Sequence, residues 1–371
     1  LISSIILGLS SLIGWKVIKV VRNEMKQKKY EIIEKTIDIK RYIRKIKFIA
    51  WFMFILGLIS YGLYTKAYGG FLGLLQYSIA IRSGTITINN PFSFLQRFGS
   101  FSFISSFIFF GIYIDKSIDK MLKRHSLFGY IITFTFSIYV LYSWAGRVGM
   151  LVYIATFILG YILYSYKSVF RLVKKLIVFL ITVPFILFGI DGLLNRSSSS
   201  TGLIELFAKE LSFPFASYIV QLSQSRYRLF KDIIVAPLFL LPQRIWSVLL
   251  NIEVASSYNT YIFFGARKGE LGVTGSIPVD MLTFSNMQAS IIGILIVGLL
   301  WGILLYYLEL LCKKIYPSGI RQIIYANITL NVAVLTVLYG DPQHIVIRNF
   351  ALIVGIILIR LVMKFRISYK N

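Results

Sequence analysis

Nine arginines are the residues of this sequence whose type and grouping most suggest chemistry. They lie in segments assigned below to one side of a membrane, where only four lysines accompany them. A guanidinium is planar and permanently charged, so it binds a phosphate or a carboxylate through two hydrogen bonds. The candidates for binding a phosphate, or a sugar where an aromatic residue lies beside them, are Arg82, Arg97, Arg147, Arg226, Arg228, Arg244, Arg267 and Arg348, with Tyr258. The alternative is local pairing, since eight acidic residues lie in the same segments.

Two of these arginines stand at sites where a charge is costly. Arg97 lies just inside an apolar stretch, and Arg147 follows Ser143-Trp-Ala-Gly in a tight turn between two such stretches. An ionisable residue in a membrane segment is by default a functional candidate. For Arg147 the alternative is that its long side chain reaches the lipid headgroups.

Three residues are candidates for a catalytic base. His344 is the only histidine on the arginine-rich side, and an imidazole titrates near neutral pH. Its alternative is a structural role at the start of a helix. Glu270 and Asp280 flank the turn 274–278, and either is also able to pair with Arg267. One cysteine and two histidines exclude a disulfide and leave little for a metal site, so we expect neither a metal nor a cofactor.

The elements that position these residues follow from composition. The chain has 371 residues, 57% of them hydrophobic and only 15% charged, whereas a soluble domain carries about 25% charged residues. Apolar runs near the ~20 residues needed to cross a bilayer recur along the chain. We therefore predict an all-α polytopic membrane protein. The chain begins at Leu1 rather than Met, which leaves open whether one or more further spans precede it. The nine predicted spans are 1–15, 48–65, 94–114, 127–143, 148–166, 176–193, 286–308, 321–340 and 347–363.

The distribution of basic residues predicts the orientation. Cytoplasmic loops of membrane proteins collect lysine and arginine. The segment 16–47 holds 12 basic residues, and the alternate loops after it are basic as well. The formal charge of +25 is therefore mainly an orientation signal, and we expect no nucleic-acid partner. The arginine-rich loops then face the side opposite the cytoplasm.

We predict one transmembrane domain, 1–371, with two notable segments on the outer side. The segment 66–93 contains an apolar stretch too short to cross, which favours a re-entrant or interfacial helix. The loop 191–285 contains an amphipathic helix, Ile204–Gln221, and an apolar stretch, Ile233–Ile252, that two prolines interrupt. We expect this large loop to fold back and cover an active site.

The layout resembles bacterial polymerases of oligosaccharide repeat units, the Wzy type that extends O-antigen or capsule chains. The resemblance rests on Ser143–Arg147 followed directly by a span and on the large outer loop. Within that loop it includes Pro242-Gln-Arg244, Tyr258–Tyr261 and the run Gly269–Pro278. Tyr68-Gly-Gly70 opens the earlier outer loop in a similar way.

The resemblance implies a metal-independent glycosyltransferase of the bacterial inner membrane. Its donor would be a growing glycan on undecaprenyl pyrophosphate, and its acceptor the non-reducing end of a lipid-linked repeat unit. Membrane lipids and a chain-length regulator protein are further expected partners. A late external histidine serves the related O-antigen ligases, which strengthens His344 as the base.

Other functions stay open. A lipid-linked oligosaccharide flippase or transporter is the first alternative, and we expect such a protein to have internal repeats and broken helices, neither of which the sequence indicates. An O-antigen ligase or membrane acyltransferase is the second. A non-catalytic assembly subunit is a third that no residue excludes.

Overall fold

The protein is built from α-helices. The computed structural model describes residues 2–26, 39–83, 88–166, 168–193, 203–223, 227–273 and 275–367, and these contain no strand. The helices are, in order, α1 Ile2–Lys26, α2 Ile39–Thr65, α3 Gly70–Ser83, α4 Phe101–Ile114, α5 Lys120–Ser143, α6 Arg147–Ser165, α7 Val169–Leu193, α8 Leu203–Leu222, α9 Lys231–Ile234, α10 Ala255–Phe264, α11 Met281–Lys313, α12 Ser318–Ile328, α13 Leu335–Leu338, α14 Pro342–Arg348 and α15 Phe350–Ile367.

The membrane character is confirmed. Within the described residues, seven helical segments are long and apolar enough to cross a bilayer, and the bent pair α14–α15 makes an eighth if it counts as one span. The seven are Ile2–Val21, Lys40–Tyr68, Ser93–Ile114, Lys120–Ser143, Arg147–Ser165, Met281–Lys313 and Ser318–Leu338. Eight of the nine predicted spans fall on these segments. The ninth, 176–193, lies on α7, several of whose side chains fall outside the described part of the chain, and it stays a prediction.

The chain divides into two compact units rather than showing a single cluster of contacts. The first unit comprises Leu1–Lys40, Leu211–Lys314 and Val332–Ile347. The second comprises Arg41–Glu210, Ile315–Asn331 and Arg348–Asn371. Each is therefore assembled from segments distant in sequence.

Close packing of α1 against α11 forms the membrane part of the first unit. Gly298 and Gly302 face Ser10 and Ser11, and a methyl group added to either glycine would overlap the serine opposite. Gly14 approaches the backbone of Leu299 in the same way. Small residues let helix backbones approach closely in a bilayer, where packing rather than hydrophobicity drives association. The Gly-x-x-x-Gly spacing at 298–302 is the visible sequence signal for this contact.

Helix α11 is broken near its start. Ala289 and Ser290 have non-helical backbone angles, and Ser290 has a positive φ of 53°. The break leaves carbonyls without their usual helical donors, and the loop before α9 supplies two replacements. The Arg228 N–H donates to the Met287 carbonyl at 2.9 Å and the Leu229 N–H to the Gln288 carbonyl at 3.0 Å. Irregular backbone near a bilayer is stable only when protein satisfies it in this way.

This break corrects the sequence analysis, which indicated no broken helix. It occurs at Ala-Ser, with neither the proline nor the glycine that usually marks a kink. The residues from Ile291 to Lys313 still exceed the ~20 that a crossing requires, so the break lies at one end of the span. A site at the bilayer midplane, as in transporters built on broken helices, does not follow from it.

Hydrogen bonds between helices stabilise the second unit. Ser102 of α4 accepts from Ser137 of α5 at 2.9 Å, and the hydroxyls of Ser106 and Tyr153 lie 2.8 Å apart. The Tyr61 hydroxyl lies 2.6 Å from that of Ser143. These groups are buried, and each such bond adds modestly to helix association in a bilayer.

One carboxylate connects two loops of this unit. Asp115, 1% exposed, accepts four hydrogen bonds, from the Ser117 N–H and hydroxyl, the Ser318 hydroxyl and the Gly319 N–H. Burial alone would raise the pKa of Asp115, but these donors together outweigh it and hold the pKa below its usual value. The side chain therefore stays ionised and fixes the start of α12 beside the end of α4.

The two notable segments of the sequence are helical. In 66–93, α3 contains an apolar stretch, Gly70–Ile81, that is too short to cross a bilayer, as predicted for an interfacial element. In 191–285, α8 occupies the position of the predicted amphipathic helix. The following apolar stretch forms α9, a 3-10 helix Ala236–Leu240 and a π-helix Arg244–Leu249.

Candidate functional site

Arg228 forms the centre of a charged cluster in the first unit. Its Nε and Nη2 donate to the two carboxylate oxygens of Asp232, both at 2.7 Å, and Nη2 also donates to the Glu253 carbonyl at 2.7 Å. The side chains of Arg228 and Asp232 are only 11% and 2% exposed. Burial by itself lowers the pKa of Arg228, but Asp232, Glu253 and Asp341 raise it above the usual value. The guanidinium is therefore fully charged and already held by protein.

Glu253 links this buried pair to a second, exposed arginine. Its carboxylate lies 3.7 Å from Arg228 Nη1 and accepts from Arg267 Nε and Nη2 at 3.2 and 3.0 Å. Hydrogen bonding to Glu253 raises the pKa of Arg267. The side chains of Arg267 and Glu253 are 52% and 33% exposed. Both charges are therefore accessible at this end of the cluster.

Two tyrosines cover the arginines. The Arg228 guanidinium lies 5.0 Å from the centre of the Tyr258 ring, and that of Arg267 lies 5.4 Å from the centre of the Tyr261 ring. Both contacts are within cation–π range. Tyr258 and Tyr261 are on α10, whose first turn is fixed by Asp341 through a 2.9 Å bond from the Ser256 N–H.

The broken helix contributes a polar group with an unused acceptor. Gln288, fully buried, donates its Nε2 to Asp232 at 3.0 Å. Its Oε1 is buried and has no hydrogen-bond partner among the described residues. An unsatisfied buried acceptor usually marks an unseen water or a functional role.

The two acidic base candidates have different environments. Glu270 lies in an exposed turn and accepts a hydrogen bond from the Arg267 backbone N–H at 2.8 Å. The guanidinium of Arg267 binds Glu253 instead. Asp280 is 4% exposed and caps α11, accepting from the N–H groups of Leu282 and Thr283 and from the Thr283 hydroxyl. Burial raises the pKa of Asp280. Its geometry is that of a helix cap.

His344 lies on the surface of the first unit. It is exposed on α14, and its ring stacks on that of Tyr339 with centroids 6.0 Å apart and planes 14° apart. Tyr339 in turn contacts Phe213 of α8, at 5.6 Å between ring centres. The imidazole is therefore accessible and orientated by an aromatic neighbour.

Arg97 and Arg147 belong to the second unit. Half-buried Arg97 lies on the 3-10 helix Ser93–Ser100, with its guanidinium 5.7 Å from the centre of the Phe350 ring. Half-buried Arg147 is the first residue of α6, after a turn in which Ala145 has a φ of 47°. A cation at a helix N-terminus is opposed by the helix dipole, so helix stability does not explain Arg147.

The remaining candidates are placed only in part. Arg348 is half-buried at the end of α14. Arg82 is in the last turn of α3 and Arg244 opens the π-helix, but both side chains lie outside the described part of the chain. Arg226 lies outside the described residues altogether.

The structure brings Arg228, Arg267 and Tyr258 into one cluster and adds Glu253, Asp232 and Gln288, which the sequence analysis did not select. Arg228 and Arg267 both pair with nearby carboxylates, which is the alternative given above for the arginines. Glu253 lies 25 residues from Arg228 and 14 residues from Arg267, and pairing over such separations is not visible in a sequence pattern. Gln288 was a readable signal, because it is a polar residue within the apolar span predicted at 286–308.

No group of three or more metal-ligand side chains is found within the described residues.

Comparisons with protein-family models, with curated proteins and with solved structures gave no match to this chain.

Proposed function

We propose that this protein is a membrane glycosyltransferase that polymerises lipid-linked oligosaccharide repeat units. The growing glycan leaves undecaprenyl pyrophosphate and is transferred to the non-reducing end of a lipid-linked repeat unit at the outer face of the inner membrane. The observation that carries the proposal is the cluster of Arg228, Glu253 and Arg267 under two tyrosines. It lies in a long, folded segment between membrane spans.

The cluster supports this chemistry through its exposed end. Arg267 keeps guanidinium surface open to a phosphate while Glu253 holds its orientation. Aromatic rings beside polar groups suit sugar binding. The ring face offers an apolar surface for stacking, and the polar groups beside it bind the sugar hydroxyls. The buried pair of Arg228 and Asp232 then serves as the rigid support on which Glu253 is held.

The reaction requires one proton transfer. The bond between the sugar's anomeric carbon and the pyrophosphate oxygen breaks as the acceptor hydroxyl oxygen bonds to that carbon. Undecaprenyl pyrophosphate leaves with the negative charge that nearby arginines stabilise. A base takes the hydroxyl proton. Exposed His344, exposed Glu270 and partly exposed Glu253 are accessible for this role, whereas the burial of Asp280 favours a structural one.

Reconstitution tests the proposal against transport. Purified full-length protein in vesicles is supplied with a lipid-linked repeat unit, and the products are separated by size and by leaflet. We expect a ladder of lengthened glycans whose yield is unchanged by a metal chelator. Movement of unextended repeat units between leaflets, with no ladder, would instead establish the transporter alternative.

A further inference from the structure

A groove with a volume of about 620 Å³ opens between α2 and α15 in the second unit. Its size falls within the ~300–1,000 Å³ range of small-molecule sites. Cations and apolar side chains line it: Arg41, Arg44, Lys45, Phe48, Ile49, Phe52, Leu358 and Leu361.

The lining is arranged by depth. The three cations occupy the first turns of α2, at the beginning of its membrane span at Lys40, and the aromatic residues follow one and two turns later. Residues four apart lie on one face of a helix, so Arg44, Phe48 and Phe52 form a single stripe. Phe48 and Phe52 are 72% and 52% exposed within the protein. Polar and apolar ends of the groove therefore match the boundary between headgroups and hydrocarbon.

Basic residues outnumber acidic ones around this end of α2. No carboxylate lines the groove among the described residues. The surrounding segment, 16–47, contains twelve basic residues and four acidic ones. Basic pockets between membrane helices on the cytoplasmic side are suited to anionic lipid headgroups.

We propose that this groove binds one anionic phospholipid. Its phosphate lies between Arg44 and Lys45, and an acyl chain follows Phe48, Phe52 and Leu361. A free phosphate would satisfy the cations but leave the exposed phenylalanine rings and Leu361 uncovered. A lipid satisfies both parts of the lining, and the inference does not depend on the proposed glycosyltransferase activity.

Native mass spectrometry of the full-length protein in detergent tests this directly. Dioleoyl phosphatidylglycerol and dioleoyl phosphatidylcholine are the probes, because they share acyl chains and differ in headgroup charge. We expect one phosphatidylglycerol to bind in preference to phosphatidylcholine. Replacing both cations, in Arg44→Gln with Lys45→Gln, should weaken phosphatidylglycerol binding roughly thirtyfold, since each basic residue near an anionic lipid contributes about a factor of five.

A matched control removes the same charge elsewhere. Lys120→Gln with Arg124→Gln changes one lysine and one arginine that are also exposed, at the start of α5, and should leave binding unchanged. Leu361→Trp fills the open groove without removing charge and should also abolish binding.

Three outcomes would overturn the proposal. The first is equal binding of the two lipids by the wild-type protein. The second is equal loss of phosphatidylglycerol binding in the groove and control variants. The third is displacement of the lipid by millimolar inorganic phosphate, which would assign the cations to a free anion. All four substituted cations are exposed, and size-exclusion chromatography of each variant checks that it remains folded.

Discussion

At the scale of single residues, the arginines of this protein divide by their burial. Arg228 is enclosed and uses its donors on Asp232 and Glu253, whereas Arg267 shares only one carboxylate and stays half-exposed. Their sequence contexts, Arg-Tyr-Arg and Ala-Arg-Lys, do not distinguish them. The sequence therefore predicted which residue type gathers in this region, but only the fold separates the buried arginine from the exposed one.

Glu253→Gln tests the exposed end of the cluster. The amide keeps the shape of the side chain but loses the negative charge that holds Arg267 and the ability to accept a proton. We expect chain extension by purified protein to fall at least about tenfold, in the range of a lost general base. Glu309→Gln, an equally conservative change in a carboxylate that pairs with Lys313 at the last turn of α11, is the control. Equal extension rates in the two variants would remove Glu253 from the site.

Arg228→Ala should act on stability. It leaves the carboxylate of Asp232 buried without its partner, a loss of about 3–5 kcal/mol for a buried ion pair. Arg228→Met with Asp232→Leu should cost much less, because both charges are removed together. Chemical denaturation in detergent measures both. A single variant as stable as the wild-type protein would contradict the structural role given to Arg228.

His344→Ala is expected to reduce turnover more than donor binding. The exposed imidazole stacks on Tyr339. Because Asp232 and Glu253 hold the Arg228 guanidinium, we expect the substitution to leave that cluster in place. Turnover and the Michaelis constant for the donor are measured separately, with Tyr339→Phe as a control that keeps the stack. A pH–rate profile unchanged by His344→Ala would exclude His344 as the base and favour an accessible carboxylate, Glu270 or Glu253.

At the scale of helices, the hydrophobic pattern predicted most spans and missed their irregularities. Nearly every apolar run became a helix because a chain in a bilayer has to satisfy its backbone internally. The break at Ala289 and Ser290 was not predictable locally, since it depends on N–H groups of Arg228 and Leu229 supplied from far along the chain. The close contact of α1 and α11 was visible as Gly298-x-x-x-Gly302.

Gly302→Ala tests that contact. The added methyl group overlaps the Ser11 carbonyl, and we expect a loss of about 1–3 kcal/mol from overpacking. Gly8→Ala on α1 is the control, because nothing lies near a methyl group at that position. Thermal unfolding in detergent compares the two. A Gly302 variant that unfolds no earlier than the Gly8 variant would contradict the packing of α1 on α11.

Asp115→Asn tests the loop contact of the second unit. The lowered pKa of Asp115 means that its stabilisation is fully present above its unfolded value of about 4 and is lost as the pH falls through the folded value. The variant should therefore unfold earlier than the wild-type protein at neutral pH, and the gap should shrink in acid. An unfolding difference that persists unchanged at low pH would mean that the carboxylate charge is not its source.

At the scale of the whole molecule, composition predicted the class of protein and the distribution of charge predicted its orientation. Scarce charge and repeated apolar runs established the polytopic class, and the seven long apolar helices confirm it. The division into two units was not predicted, because each unit is built from segments far apart in sequence and no repeat or linker marks them. The orientation, deduced from lysine and arginine counts, is a prediction that labelling can test.

Cysteine labelling tests the orientation. The protein has a single cysteine, Cys312, which is 1% exposed and should give little background. A membrane-impermeant maleimide should label Lys268→Cys in right-side-out vesicles. Lys120→Cys is equally exposed in the structure and should be labelled only after permeabilisation. The reverse pattern would place the charged cluster on the cytoplasmic side and contradict the proposed donor.

In the proposed reaction, glycan extension is coupled to release of the lipid pyrophosphate. The most direct measurement supplies the purified wild-type protein with a lipid-linked repeat unit and counts both the units joined and the undecaprenyl pyrophosphate released. We expect one released molecule for each new glycosidic bond, with or without a chelator. Release without extension, or no release while the substrate is bound or moved, would contradict it.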